Sequence, residues 1–188
     1  MKDLLNVLGK IHPLSKPFKQ YLSDHLKLQT LSPKDYLLKA GNISRRLYFV
    51  EKGLVRCYYF ENAQEVCSKF LKENDIIVSA SSFFLQKESK EYIQAIESTT
   101  VYSLSYDELQ YTYKYFIESN IISRVLSTKS YLLSEQRSEF IRMRQAPERY
   151  QSMMIHYPEL INRVPMKFLA SYLGMTEETL SRIRAGNY

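Results

Sequence analysis

The stretch VPMKFLASYLGMTEETLSRIRAG, Val164 to Gly186, constrains the fold more than any other part of the chain. Two short helices that cross closely need apolar side chains at the crossing, a small residue where their axes meet, and a turn residue tolerant of positive φ. With Met166 as the first position, Leu169, Leu173, Met175, Leu180 and Ile183 fall on a shared core, Ala170 sits at the crossing and Gly174 makes the turn. Thr176 stands where a hydroxyl caps the free N–H groups of the second helix, and Glu177 and Glu178 follow in its positive first turn. The stretch predicts a helix-turn-helix hairpin.

Its outward side chains carry the chemistry. Thr176, Glu177, Glu178, Ser181 and Arg182 face away from the core and offer the donors and acceptors that read base edges in a DNA major groove. Arg182 suits guanine O6 and N7, and Glu177 or Glu178 suits cytosine N4, each good contact discriminating by about 1–3 kcal/mol. Arg163, Lys167 and Arg184 are placed to hold phosphates. The same core pattern also fits a plain hairpin in a helical bundle, a reading that the acidic pair favours.

Upstream the patterning changes twice. To about Asp35 it is helical: Leu4, Leu5 and Leu8 form one stripe, Pro13 and Pro17 interrupt it, and Phe18, Tyr21, Leu22 and Leu26 form a second. From Tyr36 to Leu104, short runs rich in Tyr, Val, Ile, Phe and Thr are separated by KAGN, EKG, ENAQ and KEND, which predicts an antiparallel β-sandwich or roll. LYFVEKGLVRCYYF reads as two strands around Gly53, with VCSKFL and YIQAIE continuing the alternation. Ser105 and Glu108 have capping-box spacing, so a helix begins there. A long helix follows from about Asn120 to Gln145, with Ile122, Val125, Leu126, Leu132, Leu133, Phe140 and Met143 on one stripe. That stripe packs on the roll, on a second copy of the chain, or on both. Pro147 marks a joint, and APERYQSMMIHYP reads as a helix followed by a short loop.

Composition excludes several classes. No apolar run approaches a membrane span, and MKDLLNVLGKIHPLSKPF lacks the apolar core and cleavage site of a signal peptide, which predicts a cytoplasmic protein with no membrane partner. Cys57 and Cys67 are too few for a disulfide framework or an iron–sulfur cluster, and neither a metal nor a cofactor is expected. His12, His25 and His156 all lie outside the β region, so a metal-dependent enzyme on the roll lacks its ligands, and no nucleophile motif is present. A net charge of +6 permits a polyanionic partner.

Helices, a β-roll, a long helix and a C-terminal helix-turn-helix together resemble the Crp/Fnr family of transcription regulators, through GLVRCYY, APERY and VPMKFLASYLGMTEETLSRIR. The resemblance implies an α+β fold: an effector-sensing, cyclic-nucleotide-binding-like roll with N-terminal helices over 1–118, a long dimerisation helix over 119–145, and a DNA-binding domain over 146–188. It further implies a homodimer on a palindromic double-stranded DNA operator, a small-molecule effector, contact with RNA polymerase and no catalysis. Cyclic-nucleotide-binding members carry a Gly-Glu pair and an Arg in the roll, whereas DIIVSASSFF has Val78 and Ser79, and no Arg lies between Arg56 and Arg124. A guanidinium fork suited to a cyclic phosphate is missing there. The effector is therefore expected to differ from cyclic AMP, with Arg56, Ser79, Ser81, Ser82, Lys87 and Lys90 as candidate pocket residues. The family's C-terminal wing is not expected, since the sequence stops at Tyr188. The rival reading is a ligand-sensing or protein-docking module that does not bind DNA.

Overall fold

A computed structural model of the chain describes residues 1–142 and 145–187. The elements are α1 (Lys2–Ile11), α2 (Lys16–His25), β1 (Lys27–Leu31), β2 (Tyr36–Leu38), β3 (Arg46–Lys52), β4 (Val55–Glu61), β5 (Gln64–Leu71), β6 (Ile76–Ile77), α3 (Ala80–Leu85), β7 (Tyr92–Ala95) and β8 (Thr99–Ser105). Then follow α4 (Tyr106–Tyr115), α5 (Ile117–Arg142), α6 (Ala146–His156), α7 (Pro158–Arg163), α8 (Met166–Leu173) and α9 (Glu177–Arg184). The chain divides into two compact units: Met1–Cys57 with Phe70–Thr128, and Tyr58–Lys69 with Lys129–Tyr188. The division falls inside α5.

Two four-stranded sheets, in the orders β1-β8-β3-β6 and β2-β7-β4-β5, make the roll. β8 is held antiparallel between β1 and β3, with Lys27 opposite Ser103 on one side and Arg46 opposite Ser105 on the other. Alternation along these strands points Leu31, Tyr48, Val50, Val55, Cys57, Ile77, Ile93 and Val101 into one core. Gly53 joins β3 to β4 at φ 104, and a Cβ there would stand 2.5 Å from Thr99 Oγ1 and 2.7 Å from the Ser98 carbonyl. Only glycine fits that close approach to the start of β8.

Helices cover the roll. Leu4 and Leu8 of α1, Phe18 and Leu22 of α2 and Ile122 of α5 bury against Phe49 of β3, each contributing about 1.5–3 kcal/mol of apolar burial. Ser15 caps α2, its Oγ accepting from the Phe18 N–H at 3.2 Å while donating to the buried Glu118 carboxylate at 2.5 Å. The first turn of α5 is thereby tied to the first turn of α2. At the end of β8 the Ser105–Glu108 capping box forms as its spacing predicts: the Glu108 N–H donates to Ser105 Oγ at 3.2 Å and the Ser105 N–H to Glu108 Oε2 at 2.6 Å.

Four expectations need correction. The helical region ends at His25, because Lys27–Leu31 forms the outer strand β1. Four of its five residues are exposed, so KLQTL shows no alternation. A short helix, α3, interrupts the β region at ASSFFL, with its C-cap Gln86 in the left-handed conformation at φ 48. Another, α7, replaces the loop expected after Pro158. The long helix begins at Ile117, ahead of the expected start; Met143, assigned to its apolar stripe, lies outside the described residues.

Candidate nucleic-acid interface

In the second unit, α6 to α9 close around Met153, Leu160, Val164, Leu169, Ala170, Leu173 and Leu180, all buried. The helix-turn-helix core is the one the sequence places there, with Met166, Met175 and Ile183 half-buried at its margin. α8 ends at Gly174 in the left-handed conformation, φ 65 and ψ 42, and the Met175 N–H returns to the Ala170 carbonyl at 3.0 Å. That closure uses carbonyls the helix would otherwise leave without partners. Thr176 then caps α9, its Oγ1 accepting from the Thr179 N–H at 3.1 Å.

Thr176, Glu177, Glu178, Ser181 and Arg182 are all exposed on α9, so the structure brings the predicted base-reading side chains onto one open helix. An Arg182 Nη2 to Glu178 Oε1 distance of 3.6 Å links two of them one turn apart. With side-chain exposures of 55% and 81%, this pair adds little stability; it orients the guanidinium along the helix. Lys167 on α8 and Arg184 at the end of α9 are exposed, whereas Arg163, in the last turn of α7, is half-buried.

Three residues that sequence reasoning missed hold the hairpin in place. Ser171 on α8 reaches the outer part of the β4–β5 hairpin, where its Oγ accepts from the Cys67 N–H at 3.0 Å and donates to the Glu65 carbonyl at 2.8 Å. Arg137 of α5 donates Nη2 to the Tyr172 carbonyl, and its guanidinium lies 3.8 Å from the centre of the Tyr172 ring and 5.2 Å from that of Phe140. Arg149 of α6 donates to the carbonyls of Leu173 at 2.6 Å and Gly174 at 3.2 Å. Burial lowers the Arg137 guanidinium's affinity for its proton, and burial likewise raises the Tyr172 phenol above its usual range. No short-range pattern marks such contacts; Ser171 and Glu65 are 106 residues apart.

The candidate effector residues separate into small groups. Arg56 is buried and donates both Nε, at 3.0 Å, and Nη2, at 2.7 Å, to the Gln94 side-chain carbonyl. Buried Ser79 meets Ser89 Oγ and Glu91 Oε2, each at 3.1 Å; neither partner is among the residues the sequence singled out. Ser82 is also buried, but it closes its own loop, accepting from the Ser44 N–H at 2.8 Å and donating to the Lys87 carbonyl at 2.5 Å. Ser81, Lys87 and Lys90 are exposed. Among the described residues, no group of three His, Cys, Asp or Glu side chains is arranged to hold a metal ion, and no helix is long and apolar enough to cross a membrane.

The sequence profile of the cyclic nucleotide-binding domain matches residues 28–115, from β1 to the end of α4. Solved structures extend the likeness over nearly the whole chain. A chain from Eubacterium rectale assigned to the transcriptional regulators of the Crp/Fnr family superposes with a TM-score of 0.75 at 17% identity, covering 96% of this chain and 87% of its own. This is the Crp/Fnr fold. FixK2 from Bradyrhizobium japonicum superposes over most of the chain too (TM-score 0.73, 16% identity, 86% of this chain and 83% of its own). So does a mutant of CooA from Carboxydothermus hydrogenoformans (0.72, 19%, 97% and 83%). No curated protein matches the sequence significantly. The Crp/Fnr resemblance drawn from GLVRCYY, APERY and the C-terminal hairpin is thus borne out at the level of fold, including the antiparallel roll, the long helix and the C-terminal helices.

Proposed function

We propose that this chain is a sequence-specific DNA-binding transcription regulator that acts as a homodimer. The observation that carries this reading is the exposed helix α9 with its Thr176 cap, which presents Thr176, Glu177, Glu178, Ser181 and Arg182 together above the buried core it shares with α6, α7 and α8. Such a helix enters a major groove with its N-terminal residues against base edges, and Lys167, Arg184 and Arg163 supply phosphate contacts. The reading assigns sensing to residues 1–118, pairing to 119–145 and DNA reading to 146–188. It places the protein in the cytoplasm, gives it no catalytic role, and makes RNA polymerase a partner at the promoter.

Pairing is supported by α5. Val125, Tyr131, Leu132, Leu133 and Ile141 are exposed along it at 42%, 63%, 55%, 44% and 58%. A second α5 packed alongside removes this apolar surface from water, and two-fold symmetry then sets two copies of α9 on successive major grooves of a palindrome.

The roll answers an effector other than cyclic AMP in this reading, through Arg56, Ser79, Ser81, Ser82, Lys87 and Lys90. Both donors that Arg56 gives to Gln94 are internal, and residues 57–123 contain no second Arg to grip a cyclic phosphate. Ser79 with Ser89 offers hydroxyls, which suit a polar ligand.

Selection of bound duplexes from a random DNA pool tests the function, followed by gel shifts of the recovered sequence over a range of salt. Enrichment of a palindrome whose binding weakens steeply with salt is the expected result. A protein that shifts no duplex at low salt is a sensing or docking module instead.

A further inference from the structure

α1 carries a glycine that the fold does not require. Gly9 lies inside the helix without a positive φ, and a Cβ added to it would meet nothing within 4 Å. Neither a left-handed turn nor a close approach explains it, and glycine weakens a helix relative to alanine. The missing side chain does leave space on the outer side of α1, and that space is part of a groove.

The groove, about 680 Å³ in volume, is bounded by α1, the link after it and α2. Leu5, Gly9 and Leu14 give it an apolar lining, and Lys2, Lys10 and Lys19 stand around it. Leu5 and Leu14 are half-buried, packed on one side against the cluster around Phe49 and open to the groove on the other. No carboxylate lines the groove, and among the described residues none of the three ammonium groups has an ion-pair or hydrogen-bond partner.

Size selects the class of occupant. A cavity of this volume matches sites for small molecules, whereas a stable protein partner buries roughly 20–30 residues a side and only eight line this groove. Charge selects its head. A lysine lays its stem along apolar surface and keeps its ammonium in water, so an anion at the rim meets an uncompensated positive charge while its tail covers the leucines.

We propose that the groove binds a single-chain anionic amphiphile, its acyl chain lying over Leu5, Gly9 and Leu14 and its carboxylate meeting the lysines of the rim. The site shares no residue with the candidate effector group of the roll, and it stands whether or not α9 reads DNA.

Calorimetric titration of the full chain with sodium dodecanoate, below its micelle concentration, tests the site. One-to-one binding is expected, with none for butyrate, which lacks the tail, or for dodecyltrimethylammonium, which reverses the charge of the head. Gly9→Leu fills the groove with a better helix former, so it is expected to keep or raise the melting temperature while weakening dodecanoate binding by about tenfold or more. Lys10→Gln combined with Lys19→Gln is expected to weaken binding by about fivefold, and the corresponding pair of arginines to restore it. A chain that takes up no dodecanoate overturns the site, as does a folded Gly9→Leu variant that binds as the unaltered chain does. Uptake of dodecyltrimethylammonium with equal affinity, or of many dodecanoate molecules per chain, overturns it too. Unchanged affinity in the paired glutamine variant does so however Gly9→Leu folds. A chain that ignores monomeric dodecanoate but pellets with phosphatidylglycerol vesicles uses this face as a membrane contact instead, and the groove is then no binding site.

Discussion

Gly53 illustrates how a single backbone position is fixed by its surroundings. Any larger residue must accept both a positive φ and a Cβ inside contact distance of Thr99 and Ser98, so Gly53→Ala is expected to cost about 2–3 kcal/mol in urea unfolding. Glu108 is set by electrostatics. Burial raises its carboxyl, but hydrogen bonds from Ser105 and the charges of Arg46 and His25 outweigh burial and hold the group below its ordinary value of 4.5. A depressed carboxyl stabilises the fold at pH values above its unfolded pKa, and that contribution disappears as pH falls below about 4.5 through the folded value. Glu108→Gln is therefore expected to lower stability at neutral pH and to flatten its decline in acid, a change visible in thermal melts from pH 7 to pH 3. On the hairpin the two kinds of proposed contact separate: Arg182→Ala on α9 is expected to relax preference at one base pair of each half-site, and Lys167→Ala on α8 to weaken binding evenly. Selection repeated with each variant distinguishes them, and equal effects on every sequence count against Arg182 as a base reader.

Among the elements, α5 carries the clearest solution test. Leu132→Glu places a charge on the exposed stripe, and sedimentation is expected to show the chain passing from dimer to monomer while Ile122 keeps the start of the helix on the roll. A variant that sediments as the unaltered chain does removes α5 as the pairing element. The elements also show what a sequence discloses. α8 and α9 were legible because their determinants are local: apolar spacing, Gly174 and the Thr176 cap all fall within one short stretch. The Ser105 cap was legible for the same reason. β1 was not, since an outer strand exposed on both faces leaves no alternation, and α3 and α7, each of six residues, are too short for a helical period to emerge. At the site, the outward face of α9 could be read directly. The bonds that hold it could not, because Arg137, Arg149 and Ser171 act on backbone groups far away in sequence.

For the whole molecule, symmetry makes the strongest prediction. Two copies of α9 related by a two-fold axis reach half-sites about 10–10.5 base pairs apart, so inserting about five base pairs between them turns one half-site to the opposite face of the duplex. Binding to the altered duplex is expected to fall to the level of a single half-site in anisotropy titrations. If Arg163, Lys167 and Arg184 each meet a phosphate on both subunits of a dimer, binding is expected to show a salt dependence of slope about −5, whatever the operator sequence. The groups at Tyr172, Leu173 and Gly174 that accept from Arg137 and Arg149 are main-chain carbonyls, present whatever side chains those positions or α9 carry. The side chains proposed to read bases and the bonds that hold the hairpin thus lie in separate parts of it. Exchanging Glu177, Glu178, Ser181 or Arg182 is therefore expected to leave the bonds that hold the end of α8 in place.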